Sequence, residues 1–415
     1  MINNRFSGFK YWSGLERLIG IAASAELLAD EIKFSFIPRD QAKISESSDE
    51  LRYITFNKIK EVISINVIER DGRYKKIIST NISAVCKLPS RSLSNGIIEK
   101  NIKNSVALCK AKGINTIFVV VWNNGVTMYP SKVLQNYIGL LQDSVYKGFD
   151  PIACIVKEGH AQGLKVHAWF EFGFSYAYKD SASIWNKKYP HWAGKNNKKL
   201  LLQKNGFYWW SSIHTEVQKF MLQLIEEVVK KYKVDGVQGD DRLPAMPAEG
   251  GYDDYTLALY KSATGNDAPD DYKEKNWLQF KADQLSIFGK KMYQSVKKIR
   301  KDCMVTWSPS IYPWSKEQYL QDWPQWLQGG YADAILPQLY RYDIKAYEKI
   351  LLELKKQIPP NQQYKIFPGI LTSLADGYLI KNDMLQSIIQ LNRANGFTGE
   401  CLFYFETLKK IDSIY

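Results

Sequence analysis

The rhythm of apolar positions changes near residue 80. Beyond it, short and nearly continuous apolar runs alternate with stretches whose apolar residues recur at helical spacing. The runs predict eight strands, at 82–87, 115–122, 164–172, 235–239, 303–309, 333–339, 365–371 and 400–405. Strands apolar on both faces suit a parallel sheet covered by helices. The intervening patterns predict helices over 97–112, 151–162, 216–232, 277–300 and 383–395, the last ending at Gly396 as a C-cap. Eight such units with long loops after the strands predict an α/β fold of the (β/α)8 TIM-barrel class. No glycine-rich phosphate loop follows the first strand, which argues against a dinucleotide-binding sheet.

Residues 1–80 do not join this rhythm. "EVISINVIERDGRYKKIIST" reads as a β-hairpin with Asp71-Gly72 in its turn, and helical patterns precede it. The chain therefore divides into a small N-terminal α+β module of unknown role, 1–80, and a barrel, 81–415. "RLIGIAASAELLA" has the apolar content of a signal peptide, but Glu16 and Glu26 interrupt it, so an amphipathic helix is expected there. No stretch reaches the roughly 20 apolar residues of a membrane span.

The net charge of +13 favours anionic partners, but the basic runs are short and scattered, as on solvated faces. No nucleic-acid-binding motif accompanies them. The five cysteines lack C-x-x-C spacing and the four histidines lack ligand spacing, so no metal site is signalled. His167 falls inside a strand and is expected in the core. Asp235 lies at the entry end of the fourth strand and is expected to be structural. The 12 Trp, 26 Tyr and 18 Phe stand out; many suit the core, and clusters of rings next to loops would instead suit stacking on sugar faces.

In this fold chemistry sits where the strands end at the C-terminal face. Trp122, Asn123, Asn124 and Tyr129 follow the second strand, Glu171 the third, and Asp240, Asp241 and Arg242 the fourth. Trp307, Tyr312 and Trp314 follow the fifth, Gln338 and Tyr340 the sixth, and Glu406 the eighth. Acids, amides and rings converging on one rim are what a carbohydrate site uses: carboxylates for proton transfer, amides for hydroxyls, rings as platforms. Strand alternation puts Gln238 and Asp240 on the lumen side, with Val237 toward the helices. Asp241 then points away unless the chain bends, and Arg242 is the cation at hand to hold it. Asp240, Asp241 and Glu171 are the expected catalytic residues. The rings at 129, 307, 312, 314 and 340 are expected to line an elongated groove.

With these residues in place, the chain resembles the glycosyl-hydrolase-like family 10 proteins, bacterial (β/α)8 barrels. The resemblance runs through "GINTIFVVVWNNGVTMYPSKVL", "AQGLKVHAWFEFGF", "KVDGVQGDDRLPAMPAEGGYDDYT", "WSPSIYPWSKEQYLQDWPQWLQGGYADAILPQLYRY" and "GFTGECLFYFE", in that order. It implies glycoside hydrolysis of a bacterial polysaccharide, with Asp240, Asp241 and Glu171 as active-site acids. Peptidoglycan glycan strands or another N-acetylhexosamine polymer are the implied substrate, and the cell envelope or export the implied location. Two stretches depart from the family pattern: the first strand usually carries a basic residue and a tryptophan where "ISAVCK" has Ser83 and Cys86, and "SIHTEV" stands where the family usually has a Leu-Asn-Pro turn. They leave a competing reading, a non-catalytic glycan-binding barrel. Neither reading requires a metal or an organic cofactor.

Overall fold

The computed structural model describes residues 95–374 and 377–411, together with five short strands between residues 21 and 77. The chain divides into two compact units, 1–92 with 375–377, and 93–374 with 378–415.

In the first unit, strands Ile21–Leu28, Glu31–Ile37, Arg52–Asn57, Ile65–Ile68 and Tyr74–Ile77 pair antiparallel in that order. The last two place Ile68 opposite Tyr74, the hairpin expected there, while its turn lies outside the described residues. The helix expected at 17–29 is corrected: Ile21–Leu28 is a strand, paired with Glu31–Ile37. Its partner alternates Ile32, Phe34 and Phe36, and such pairing overrides a weak local helix preference.

The second unit carries seven of the eight barrel strands: β1 (Thr116–Val120), β2 (Lys165–Trp169), β3 (Gly236–Gly239), β4 (Met304–Trp307), β5 (Ala334–Ile335), β6 (Gly369–Leu371) and β7 (Cys401–Phe403). β1 to β5 form one parallel sheet in chain order. Parallel bridges Ile335–Ile366 and Gln338–Gly369 carry the sheet on to β6, which pairs with β7. These match the predicted second to eighth strands; the predicted first strand, 82–87, lies outside the described residues. The fold is a (β/α)8 barrel.

Five helices of the outer layer match the expected ones, α1 (Asn95–Ala111), α2 (Pro151–Ala161), α3 (Thr215–Lys231), α4 (Lys275–Ile299) and α6 (Asn382–Ala394), while α5 (Ile344–Gln357) has no counterpart among the predicted helices. Asp150 caps α2 through the Ala153 N–H, with Pro151 in the first turn, where a missing N–H costs nothing. α3 buries Val217, Phe220, Met221, Leu224, Ile225 and Val228, an apolar stripe at helical spacing. Among the described residues no helix is long and apolar enough to cross a membrane.

Two insertions build the mouth of the barrel. Between β2 and α3 the chain runs over 170–214 and forms a small sheet from Ser175–Tyr178, Gln203–Lys204 and Phe207–Trp209. Trp122, Trp185, Trp192, Trp210 and Phe220 pack there as one buried aromatic block. Between β3 and α4 runs the second insertion, with helix Asp254–Thr264. Lys281 of α4 lies buried beneath it, donating to the carbonyls of Ala248 and Gly250, with Trp277 and Tyr252 around its ammonium.

Candidate active site

The barrel wall sets the parity of the site. Gln238 sits in register with Trp169 of β2 and Thr306 of β4, and all three share one face. Asp240 lies one alternation further along, beyond the end of β3, so it joins that face at the C-terminal mouth. Its carboxylate closes an Asx-turn: Oδ1 accepts the Arg242 N–H at 2.9 Å, and its carbonyl accepts the Leu243 N–H. The chain thus bends at 240–243, which is how Asp241 turns back toward the mouth.

Arg242 organises the acids. Its Nη2 lies 3.4 Å from Asp240 Oδ2 and 4.0 Å from Glu171 Oε1, and its Nη1 lies 3.4 Å from Asp241 Oδ1. Its Nε donates to the Glu171 carbonyl at 2.6 Å. Below the guanidinium is the Phe207 ring, 5.0 Å away. Three carboxylates therefore share one planar cation, whose fork addresses several directions at once. Glu171 also accepts from Asn123 Nδ2. The arrangement depends on Gly173, because a Cβ there would fall 2.0 Å from the Arg242 carbonyl, and its φ is +48°.

The three acids differ in setting. Asp240 is 2% exposed. Burial pushes its carboxyl well above the usual carboxylate range; Arg242 opposes this, and the charges of Asp241 and Glu171 add to it. Trp169 Nε1 donates to Asp240 Oδ2 at 2.9 Å, and Gln321 Nε2 donates to its carbonyl at 2.7 Å. The side chain of Asp241 is 31% exposed and that of Glu171 is partly buried. Two phenols stand in the field of Asp241. Burial first, then Asp241, raises Tyr319 to about 12, and burial, then Cys401 and both aspartates, raises Tyr340.

Several expected groove residues are not in a groove. Trp307 is fully buried: it pairs in register with Gly239, faces outward, and fills the space beside Gly239 and Gly289 of α4. Trp122 points opposite to Asn123 and enters the aromatic block, donating to the Gly173 carbonyl. Tyr129 is buried between its loop and α3, with its hydroxyl on Glu227 and the Leu224 carbonyl. Gln238 is sealed one step beneath Asp240 and accepts from Thr306. Asn124, at φ 47°, accepts the Tyr178 N–H, and Gln338 donates to the Ser308 carbonyl, so both tie loops together.

The others remain at the mouth. Trp314 is 44% exposed, its ring against Tyr319. Tyr312 is half-buried, edge-on to Trp323. Tyr340 stacks on Phe403. Glu406 is buried, pairs with Lys409 through Oε2, and leaves Oε1 without a hydrogen-bond partner. Trp169, Phe207, Tyr319 and Gln321 escaped the sequence reading. Only Trp169 carried a signal, its strand parity with Glu171; Phe207 lies in the insertion after β2, and Tyr319 and Gln321 end and follow the short helix Trp314–Tyr319 after β4.

Outside the mouth, the expected structural residues hold. His167 is buried in the lumen, edge-on to Phe118, and burial lowers it to about 4. Asp235 bonds His160, Lys165 and the Val166 N–H at the entry end of β3.

The sequence profile of the family described as Glycosyl hydrolase-like 10 matches residues 81–376. Glycosyl hydrolase DigH of Escherichia coli K12 is 28% identical over 278 residues, 56% of this chain and 58% of that protein. The chain thus spans little more than half the length of this relative. Glycosyl hydrolase YngK of Bacillus subtilis 168 is 29% identical over 136 residues, 31% of this chain and 25% of that protein. In structure, the chain resembles the glycoside hydrolase domain of PgaB (BpsB) from Bordetella bronchiseptica, with a TM-score of 0.58 at 14% identity, covering 77% of this chain and 95% of that one. At that identity the likeness is one of fold.

Proposed function

The chain belongs to the glycosyl hydrolase-like 10 family, and from that premise we propose that it hydrolyses glycosidic bonds in a bacterial polysaccharide. Peptidoglycan glycan strands or another N-acetylhexosamine polymer are the proposed substrate. The observation that carries this reading is the trio of Asp240, Asp241 and Glu171 gathered on Arg242 where β2 and β3 end.

Asp240 is the proposed general acid. A buried carboxyl beside two other carboxylates keeps its proton at pH values where an exposed one has lost it. In the reaction that proton passes to the glycosidic oxygen as the bond to the anomeric carbon breaks. Positive charge then develops on the sugar, and Asp241 and Glu171 supply the negative field that stabilises it. The anomeric carbon is next taken by water, by a carboxylate, or by the substrate's own N-acetyl oxygen.

One observation favours the competing glycan-binding reading. Asp240 is almost wholly buried, with both carboxylate oxygens engaged by the Arg242 N–H and Trp169. Catalysis requires substrate to displace one of these contacts.

The test is hydrolysis of peptide-free peptidoglycan strands and poly-N-acetylglucosamine, with products identified by mass spectrometry. Asp240→Asn removes the transferable proton at nearly constant shape, so turnover should fall by roughly 10²–10⁴ while binding survives. Asp241→Asn should also lose turnover. A folded Asp240→Asn protein with wild-type turnover would remove Asp240 from the chemistry and move the acid's role to Glu171. Glycan binding without cleavage by the wild type would put the binding-barrel reading in its place.

A further inference from the structure

Two aromatic pairs with an exposed outer ring, Tyr178 with Phe207 and Tyr342 with Tyr378, stand on the mouth. Tyr178 is 44% exposed, and its ring lies against Phe207 at 5.0 Å and over Gly206, where any Cβ would strike it. Tyr342 is 58% exposed and braced edge-on by Tyr378 at 4.9 Å and 89°. Exposure alone signals little: Tyr364 is 64% exposed, and it sits before β6, at the entry end of the barrel.

Position distinguishes the two pairs. Tyr178 follows β2, and Tyr342 and Tyr378 follow β5 and β6. In an eight-stranded closed barrel these are the third, sixth and seventh strands, so the pairs stand across the mouth from each other. Each pair is linked to the acids through a neighbour. On one side Phe207, which braces Tyr178, also carries the Arg242 guanidinium. On the other, Tyr342 is two residues, about 7 Å of extended chain, beyond Tyr340. The Tyr340 phenol is close enough to Asp240 and Asp241 to feel their charge.

We propose that Tyr178 and Tyr342 are outer sugar platforms on opposite sides of the acid cluster, so that the protein grips a glycan on both sides of the bond at Asp240 and acts on internal linkages. A ring held by a neighbouring ring and largely open to solvent suits stacking on pyranose C–H bonds, and at Tyr178 the Lys179 ammonium, 5.1 Å from the ring centroid, must swing aside for a sugar to stack. A glycan crossing the mouth gains the second platform only when it is long enough to span it. Affinity and turnover therefore rise with chain length until both are covered.

This rests on the hydrolase reading for cleavage, but not for binding. The experiment uses the full chain and a ladder of chito-oligosaccharides from disaccharide to hexasaccharide, with peptide-free peptidoglycan strands as the long substrate. Calorimetry reads binding, and mass spectrometry reads the cleavage position. Wild type should favour the longer chains and cut them internally. Tyr178→Ala and Tyr342→Ala should each lose roughly tenfold on long chains, at the upper end of what an aromatic stack contributes, and little on short ones. Tyr178→Phe and Tyr342→Phe keep the ring and should retain the length dependence.

Unchanged length dependence in both alanine variants would overturn the platforms while leaving the hydrolase reading intact. Length-dependent binding lost in those variants, with no cleavage by the wild type, would keep the platforms and remove the hydrolase reading. Release of single sugars from chain ends would overturn the internal-cleavage part. Failure of the wild type to bind or cleave any member of the ladder or the strands would overturn both.

Discussion

Arg242 is the residue on which the candidate site depends most. It is largely buried, and it faces three carboxylates along different directions. Arg242→Met leaves Asp241 and Glu171 without a counter-charge, so it should cost about 3–5 kcal/mol in urea unfolding, the usual penalty for breaking a buried ion pair from one side. Arg242→Lys restores charge but not the fork, and should recover stability more than turnover. Wild-type stability in Arg242→Met would mean the acids are neutral there and the cation dispensable. His167 makes a separate prediction about pH. Its ordinary value of 6.5 falls to about 4 on folding because burial disfavours the charged ring. Below pH 6.5 the unfolded chain takes up a proton that folded His167 refuses. Its stabilising contribution is therefore complete above 6.5 and lost progressively as pH falls toward 4, on the order of 3 kcal/mol in all. His167→Leu should flatten the acid side of the stability profile between these limits. An unchanged slope would assign acid destabilisation to other groups.

Among elements, the contact between the loops leaving β2 and β3 is the tightest constraint on the mouth. Gly173 permits it, with a left-handed φ and no room for a methyl group against the Arg242 backbone. Gly173→Ala should lower the melting temperature, with a loss of at least about 2 kcal/mol, and displace Arg242 from the acids. Turnover that stays normal in a stable Gly173→Ala protein would show that the loops can separate without harm. The strands themselves were legible because a buried parallel sheet writes uninterrupted apolar runs, and parity within "DGVQGDD" placed Asp240 correctly. The aromatic residues after the strands were not legible in the same way. Trp307 is still inside β4 and obeys strand alternation, which sends it to the helices. Trp122 sits at the start of a hairpin whose alternate residue, Asn123, takes the acid side. Phe207 reaches the mouth from the insertion after β2 and Tyr319 from the short helix Trp314–Tyr319 after β4, and neither stretch carries a period that the sequence shows.

At the scale of the whole molecule, the two ends of the barrel divide the work. Asp235, His160 and Lys165 knit the entry end, while the acids, phenols and exposed rings collect at the other. The mouth itself is uneven, with long insertions after β2 and β3 and short loops after β5 and β6. The insertion after β2 packs on the tryptophan block, and that block has an optical consequence. Among the described residues, Trp314 is the exposed tryptophan and Trp169 is half-buried; the others are shielded from solvent. Emission from the shielded rings should lie toward the blue and resist iodide, leaving a small quenchable fraction from Trp314 beside the site. A glycan laid across the mouth should shade that fraction, giving a label-free reading of occupancy that needs no turnover. Trp314→Phe should abolish the glycan-sensitive part of the quenching; if it persists, the reporting indole lies elsewhere in the chain.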